Sequence, residues 1–195
     1  MSTVGKSLLL LWLEAPLQSW GVDSVFSRRD TLDFPTKSGI TGLFLAALGK
    51  TGSQEEWLIS AAELEHTVYS YVRGTMSGKK HRIVTDFQMV GSGYDEKDPW
   101  LKLFIPKTAD GKNAVGGGTK MTFRNYLQDA YFAVEVLGPS RLVAEISEAL
   151  KEPVYPLYLG RKNCVPTEYL FQGTYQSAEE AEKQRILLQT EKDYD

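Results

Sequence analysis

The chain has 195 residues, enough for one substantial core and short for two. Its 42% hydrophobic and 24% charged residues are those of an ordinary globular protein, and a formal net charge of -3 taken alone argues against nucleic-acid binding. The single cysteine, Cys164, excludes an intrachain disulfide and a cysteine metal cluster, and with only His66 and His81 no histidine metal site and no cofactor are expected.

Residues 8–13 (LLLLWL) read as a buried first strand with both faces covered. The run is too short to span a bilayer and lacks a small-residue cleavage site, so a cytoplasmic protein without a membrane partner is expected. Residues 15–35 are turn-rich. Thr36 or Ser38 then caps a helix with Ile40, Leu43, Phe44, Ala47 and Leu48 at helical spacing and Gly49 as its stop. Residues 55–64 read as a second short helix with Trp57, Leu58 and Ala61 inward. Residues 67–73 alternate like a strand.

From 74 to 120 there is no helical period, and glycines recur at 78, 91, 93, 111 and 116–118. This stretch reads as a hairpin-like excursion, since connections of this length inside a compact domain are usually functional or disordered. Residues 129–137 form another apolar strand. Ser140 caps an amphipathic helix whose face is Leu142, Val143, Ile146 and Leu150, and 177–195 is a charged tail or terminal helix. The order fits an α+β, ferredoxin-like (RNA-recognition-motif-like) antiparallel sheet with helices on one face and a long inserted hairpin. It makes one domain over 1–176, with the insertion at about 74–120.

Charge is unevenly spread. Between Arg73 and Arg124 there are ten Lys/Arg against five Asp/Glu, whereas residues 177–195 hold three against six. A phosphate backbone responds to such local potential more than to the total.

Four segments carry chemistry, in this order: Leu17-Gln18-Ser19-Trp20-Gly21; Arg28-Arg29-Asp30-Thr31 leading to Pro35-Thr36-Lys37-Ser38-Gly39; Phe123-Arg124-Asn125-Tyr126-Leu127; and Tyr158-Leu159-Gly160-Arg161-Lys162-Asn163-Cys164. A helix N-terminus with hydroxyls and a lysine suits phosphate, and a glycine turn with two cations and a tyrosine suits RNA. The competing readings are a simple helix cap with Lys37 in water, and a plain turn before the last strand. Trp20 reads as core, and Cys164 has no neighbouring histidine to make it a nucleophile.

Together, LEAPLQSWG, SRRDTLDFPTKSGITGLFLAALG, FRNYLQDAYFAVEV and YPLYLGRKNCVPTEYLFQG resemble the CasD family of CRISPR-associated proteins, in their type I-E form, from about residue 8 to about 173. The resemblance implies a non-catalytic subunit of a type I Cascade surveillance complex. Such a subunit has a ferredoxin-like core and a projecting thumb, holds the 5′ handle of the CRISPR RNA and caps a filament of CasC-type backbone subunits. The large subunit docks nearby, and target DNA is met indirectly, through the guide. It places RNA-binding at Arg124, Tyr158, Arg161 and Lys162, with Lys37, Arg28 and Arg29 in support. The thumb would be 74–120, with Lys79, Lys80, Arg82, Lys102 and Lys107 as its cations.

Two other readings stay open. One is a metal-independent endoribonuclease processing precursor CRISPR RNA, in which His81 beside Lys79, Lys80 and Arg82 would supply the base and the cations. The other is a generic RNA-recognition module, which calls for exposed aromatics on the central strands.

Overall fold

The computed structural model describes residues 5–25, 27–72, 81–90, 97, 99–100, 107–112 and 120–192. The protein is a mixed α+β chain around a mostly antiparallel sheet. The apolar run lies within β1 (Lys6–Gln18). Because side chains alternate along a strand, Leu9, Leu11 and Leu13 face one core cluster, while Leu10 and Trp12 face another. All five are at most 1% exposed, which demands the central position that β1 occupies. Each buried leucine contributes about 1.5–3 kcal/mol.

The short ribbon of β2 (Trp20–Gly21) and β4 (Thr31–Leu32) stands apart from the main sheet. In the main sheet β1 pairs antiparallel with β7 (Lys120–Pro139) on one side and with β8 (Phe171–Tyr175) on the other. The far side of β7 carries two strands in succession. Its second half pairs with β5 (Glu65–Tyr71) and its first half with β6 (Arg82–Val90). The two-residue β3 (Arg28–Arg29) runs parallel to β7 at Phe123 and Arg124.

β7 thus begins nine residues before the strand expected at 129–137, because its first half is recruited by β6, a partner that local periodicity does not reveal. The change of partner falls at Asp129, the one non-glycine with positive φ (48°) among the described residues. Aspartate tolerates that left-handed backbone. On the neighbouring strand Pro16 lies between the pairs Ala15↔Ala130 and Leu17↔Gln128, where a missing N–H costs least.

Helix α1 (Lys37–Ala47) has the expected ends. Thr36 accepts a hydrogen bond from the Gly39 N–H (3.1 Å), and Gly49 follows at φ +67°. Helix α2 (Glu55–Ala62) differs from expectation: Ala61 is buried, but Leu58 is 43% exposed, so Leu58 is not an inward residue. Ser140 is the first residue of α3 (Ser140–Lys151) rather than its side-chain cap. The Ser7 hydroxyl donates to the Ser140 hydroxyl (2.7 Å), tying the helix to β1.

α1 and α3 cover one face of the sheet through Ile40, Phe44, Val143 and Ile146. The expectation of all helices on one face fails at α4 (Ala178–Glu191). Its Leu188 packs on the opposite face with Leu10, Trp12, Tyr71 and Tyr131. Arg185 holds it there, donating from Nε to Glu135 (3.2 Å) and from Nη1 to the Tyr71 hydroxyl (2.9 Å), with its guanidinium 3.8 Å from the Tyr69 ring centre. No amphipathic stripe in the sequence marks this side, since the contact is largely polar. No helix among the described residues is long and apolar enough to cross a membrane.

Candidate nucleic-acid interface

The site begins where β1 ends. Gln18 is fully buried and every polar atom of its side chain is used. Its Nε2 donates to the carbonyls of Leu13 (3.2 Å) and Ala130 (2.6 Å), bridging the two strands beside the Pro16 and Asp129 irregularity. Its Oε1 accepts from the Trp20 indole N–H (3.1 Å). Trp20, 1% exposed, is core, as expected. Its ring lies against Gly39, where a Cβ would come within 2.8 Å of it. The Ser19 N–H donates to the Leu159 carbonyl (3.0 Å), and Gly160, at φ +103°, packs its α-carbon on the Ser19 carbonyl oxygen. Two glycines therefore let three of the four landmark segments close together.

Two adjoining hollows result. One, of about 320 Å³, is lined by Ser19, Trp20, Gly21, Ser24, Arg29, Asp30, Thr36, Ser38, Gly39, Gly160 and Arg161. The other, of about 620 Å³, is lined by Arg29, Gln88, Arg124, Tyr126, Gly160, Arg161, Lys162 and Asn163. They share Arg29, Gly160 and Arg161. The second hollow brings four cations together with no carboxylate in its lining. Arg29 and Arg124 are register partners across β3 and β7, which fixes them side by side. The Arg124 Nε is buried without a hydrogen-bond partner.

Arg161 is both wall and strut. It donates to the carbonyls of Asn125 (3.1 Å) and Arg29 (3.0 Å) and lies 4.6 Å over the Tyr126 ring. Below it a polar relay sets the loop: Asn125 donates to Asp30 (2.6 Å) and accepts from Thr85 (2.7 Å). Arg28 also donates to Asp30 (3.1 Å), and its own side chain is 66% exposed outside the hollows.

Other expected residues fall elsewhere. The Lys37 ammonium caps the end of α2, donating to the carbonyls of Ala62 (3.0 Å) and Leu64 (2.7 Å). Tyr158 is half-buried and is not part of either lining. Among the thumb cations, Arg82 starts β6 opposite Gln128 and Lys107 is exposed, while Lys79, Lys80 and Lys102 lie outside the described residues. His81 is apart from the hollows. Its Nε2 shares a hydrogen bond with the Ser70 hydroxyl (2.7 Å), its ring meets Phe132 edge-on, and burial holds its pKa below the usual histidine value. Burial likewise pushes the Cys164 thiol up, against nucleophile chemistry.

Sequence reading missed Gln88 and Asn163 as lining residues. It also missed the outer face of the β6–β7 ribbon, where Phe87 stands against Phe123 (ring centres 5.3 Å apart) and Met89 faces Met121. Strand alternation puts Phe123 on the face opposite Arg124 and Tyr126, which line the hollow together, so only Tyr126 of the segment's two aromatics shares a surface with its cation. That Phe87 and Met89 stand against Phe123 and Met121 follows only from the β6–β7 register, which is non-local.

The chain is therefore an α+β protein with a cation-lined trough at the end of its sheet, built from the four landmark segments. Residues 8–193 match the family described as CRISPR-associated protein (Cas_Cas5). The Cascade subunit CasD of the CRISPR system of Escherichia coli (strain K12) is 32% identical over 189 residues, covering 95% of this chain and 78% of that one. A chain of a solved CRISPR RNA-guided surveillance complex is 34% identical with a TM-score of 0.66, over 84% of this chain. A Cas protein crystal structure is 30% identical with a TM-score of 0.53, over 90% of this chain and 69% of that one. The chain belongs to the Cas_Cas5 family of CRISPR-associated proteins. It spans 61% of the matched chain in the surveillance complex.

Proposed function

We propose that this chain is a non-catalytic, RNA-holding subunit of a Cascade-type surveillance particle, gripping the 5′ handle of the CRISPR RNA and capping the backbone filament. The observation that carries this is the hollow with Arg29, Arg124, Arg161 and Lys162 and no carboxylate in its lining. Asp86 stands opposite Arg124 across β6 and β7, which leaves an excess of positive charge in the lining that a polyanion would meet. The net charge of -3 fits a particle in which neighbouring subunits share the RNA.

The strand order β8–β1–β7–β5, with α1 and α3 on one face, supports a ferredoxin-like β-α-β-β-α-β core. On this reading the core is one domain over 1–176, and the excursion at 74–120 is its thumb, rooted in β6 and the start of β7. The backbone subunits, the large subunit and the guide-paired target DNA are the partners.

Two facts weigh against the other readings. The sheet face that an RNA-recognition module would offer is covered by α4. His81, the base of the ribonuclease reading, bonds Ser70, meets Phe132 edge-on and is in the lining of neither hollow.

The test is binding of the handle RNA by the chain co-expressed with its Cascade partners. Arg124→Glu should abolish RNA retention with the fold intact. Undiminished retention in Arg124→Glu and Lys162→Glu would remove the hollow from the function.

A further inference from the structure

The strand β5 offers an edge of the main sheet. Among the described residues it pairs only with β7, in an unbroken register from Glu65↔Leu137 to Tyr71↔Tyr131. Soluble proteins blunt such edges with proline, lysine, bulges or short strands. The opposite edge shows this: β8 carries Gly173 at φ +141°, and its register with β1 slips at Leu10/Leu11. β5 shows none of it. Its seven residues, Glu-His-Thr-Val-Tyr-Ser-Tyr, contain no proline, glycine or lysine.

Beside this edge, on the helix-bearing face, lies a hollow of about 640 Å³ with His66, Val68 and Ser70 along the strand and Phe34 and Leu64 among its walls. Phe34 is 46% exposed. His66 lies on the strand at this hollow. Its Nδ1 is paired with the Leu64 carbonyl (3.2 Å), which assigns the proton to Nδ1 and leaves Nε2 an acceptor. That Nε2 is buried and has no hydrogen-bond partner. A buried acceptor without a donor is costly and is normally satisfied.

We propose that β5 is a docking edge, on which a strand of a neighbouring protein subunit adds to the sheet, placing alternate apolar side chains in the Phe34–Val68 hollow. The inference rests on the reading of this chain as a subunit of a multi-protein particle. The occupant is a polypeptide, because only an extended main chain offers N–H and C=O groups at the ladder spacing. The lining holds a single lysine or arginine among the described residues, Lys37, whose ammonium donates to the Ala62 and Leu64 carbonyls. Glu65 of the lining is ion-paired with Lys6 (3.0 Å), so the hollow lacks the clustered cations that an RNA backbone calls for.

Hydrogen–deuterium exchange of β5 amides, compared in the chain alone, the chain with handle RNA, and the particle co-expressed with all its subunits, tests this. The β5 amides that do not bond β7 should exchange at least tenfold more slowly in the full particle, and equally fast in the other two states. Phe34→Asp with Ser70→Lys, competing against wild type during co-expression, should be at least tenfold depleted from particles while keeping its melting temperature and RNA affinity. Equal exchange in all three states overturns the proposal. So does protection by RNA alone, or protection that grows with the concentration of the isolated chain, which would mean a second copy. A chain that never enters the particle defeats the functional reading, whereas one that enters with β5 still open defeats only this inference.

Discussion

Gly160 and Ser19 are packed so closely that a Cβ on Gly160 would overlap the Ser19 carbonyl oxygen, and Gly160 sits at φ +103°. The contact locks the turn carrying Arg161 and Lys162 to the end of the first strand, while the Ser19 N–H donates to Leu159 (3.0 Å). Both trough hollows share this point.

Gly160→Ala should therefore be strongly destabilising, by about 2–4 kcal/mol, since clash and left-handed backbone combine. At about 2–4 °C per kcal/mol for a chain of this size, the melting temperature falls by several degrees. Thermal melts check this, and an unchanged melt would mean that the turn relaxes freely.

Arg161 and Arg124 should separate strut from grip. Arg161→Lys loses the paired donation to Asn125 and Arg29 and the stacking on Tyr126, so it should lower stability as well as RNA affinity. Arg124→Ala should leave the melt unchanged and reduce the salt slope of RNA binding by about 0.7, the share of one single-strand phosphate. Salt titrations of both variants beside their melts decide it. The idea fails if the two behave alike.

Gln18→Leu should leave the Trp20 indole N–H and two strand carbonyls without their partner. A buried unsatisfied group costs about 1–3 kcal/mol, so this fully buried, nearly isosteric change should rank among the most damaging in the chain. Urea denaturation gives the number, and a cost under about 1 kcal/mol would show that water enters to replace the amide.

Glu135 and Arg185 bind α4 to the sheet with side chains only 12% exposed. Removing Glu135 leaves the Arg185 guanidinium with the Tyr71 hydroxyl and the more distant Glu182 (3.8 Å), so Glu135→Ala should cost about 1.5–3 kcal/mol, whereas Glu135→Leu with Arg185→Met should recover most of it. A double-mutant cycle by denaturation measures the coupling.

Acidification should weaken the fold before the carboxylates titrate. Burial lowers the pKa of both His66 and His81, with the Lys37 charge adding to the effect at His66. The unfolded chain, with histidine pKa near about 6.5, then takes up protons first. Stability is full above that pH and declines as pH falls through it toward the folded-state values. His66→Gln with His81→Gln should flatten stability between about pH 7 and pH 5, and a slope identical to wild type would clear both histidines.

Local chemistry alone identified the central strand from its unbroken leucines, helix α1 from Thr36 and Gly49, helix α3 from its apolar face, and the four landmark segments with their family. These are properties of burial periodicity, caps and backbone freedom, which act within a few residues of chain. What the tertiary structure decided is direction. Arg29 and Arg124 meet in the trough because β3 and β7 pair in that register, while Lys37, also a cation, turns to the end of α2. β7 reached back to Lys120, and α4 chose the opposite face, through pairings between residues far apart in sequence. A cation's role depends on which partner its side chain reaches first, and that is set by strand register and helix docking, which no local pattern encodes.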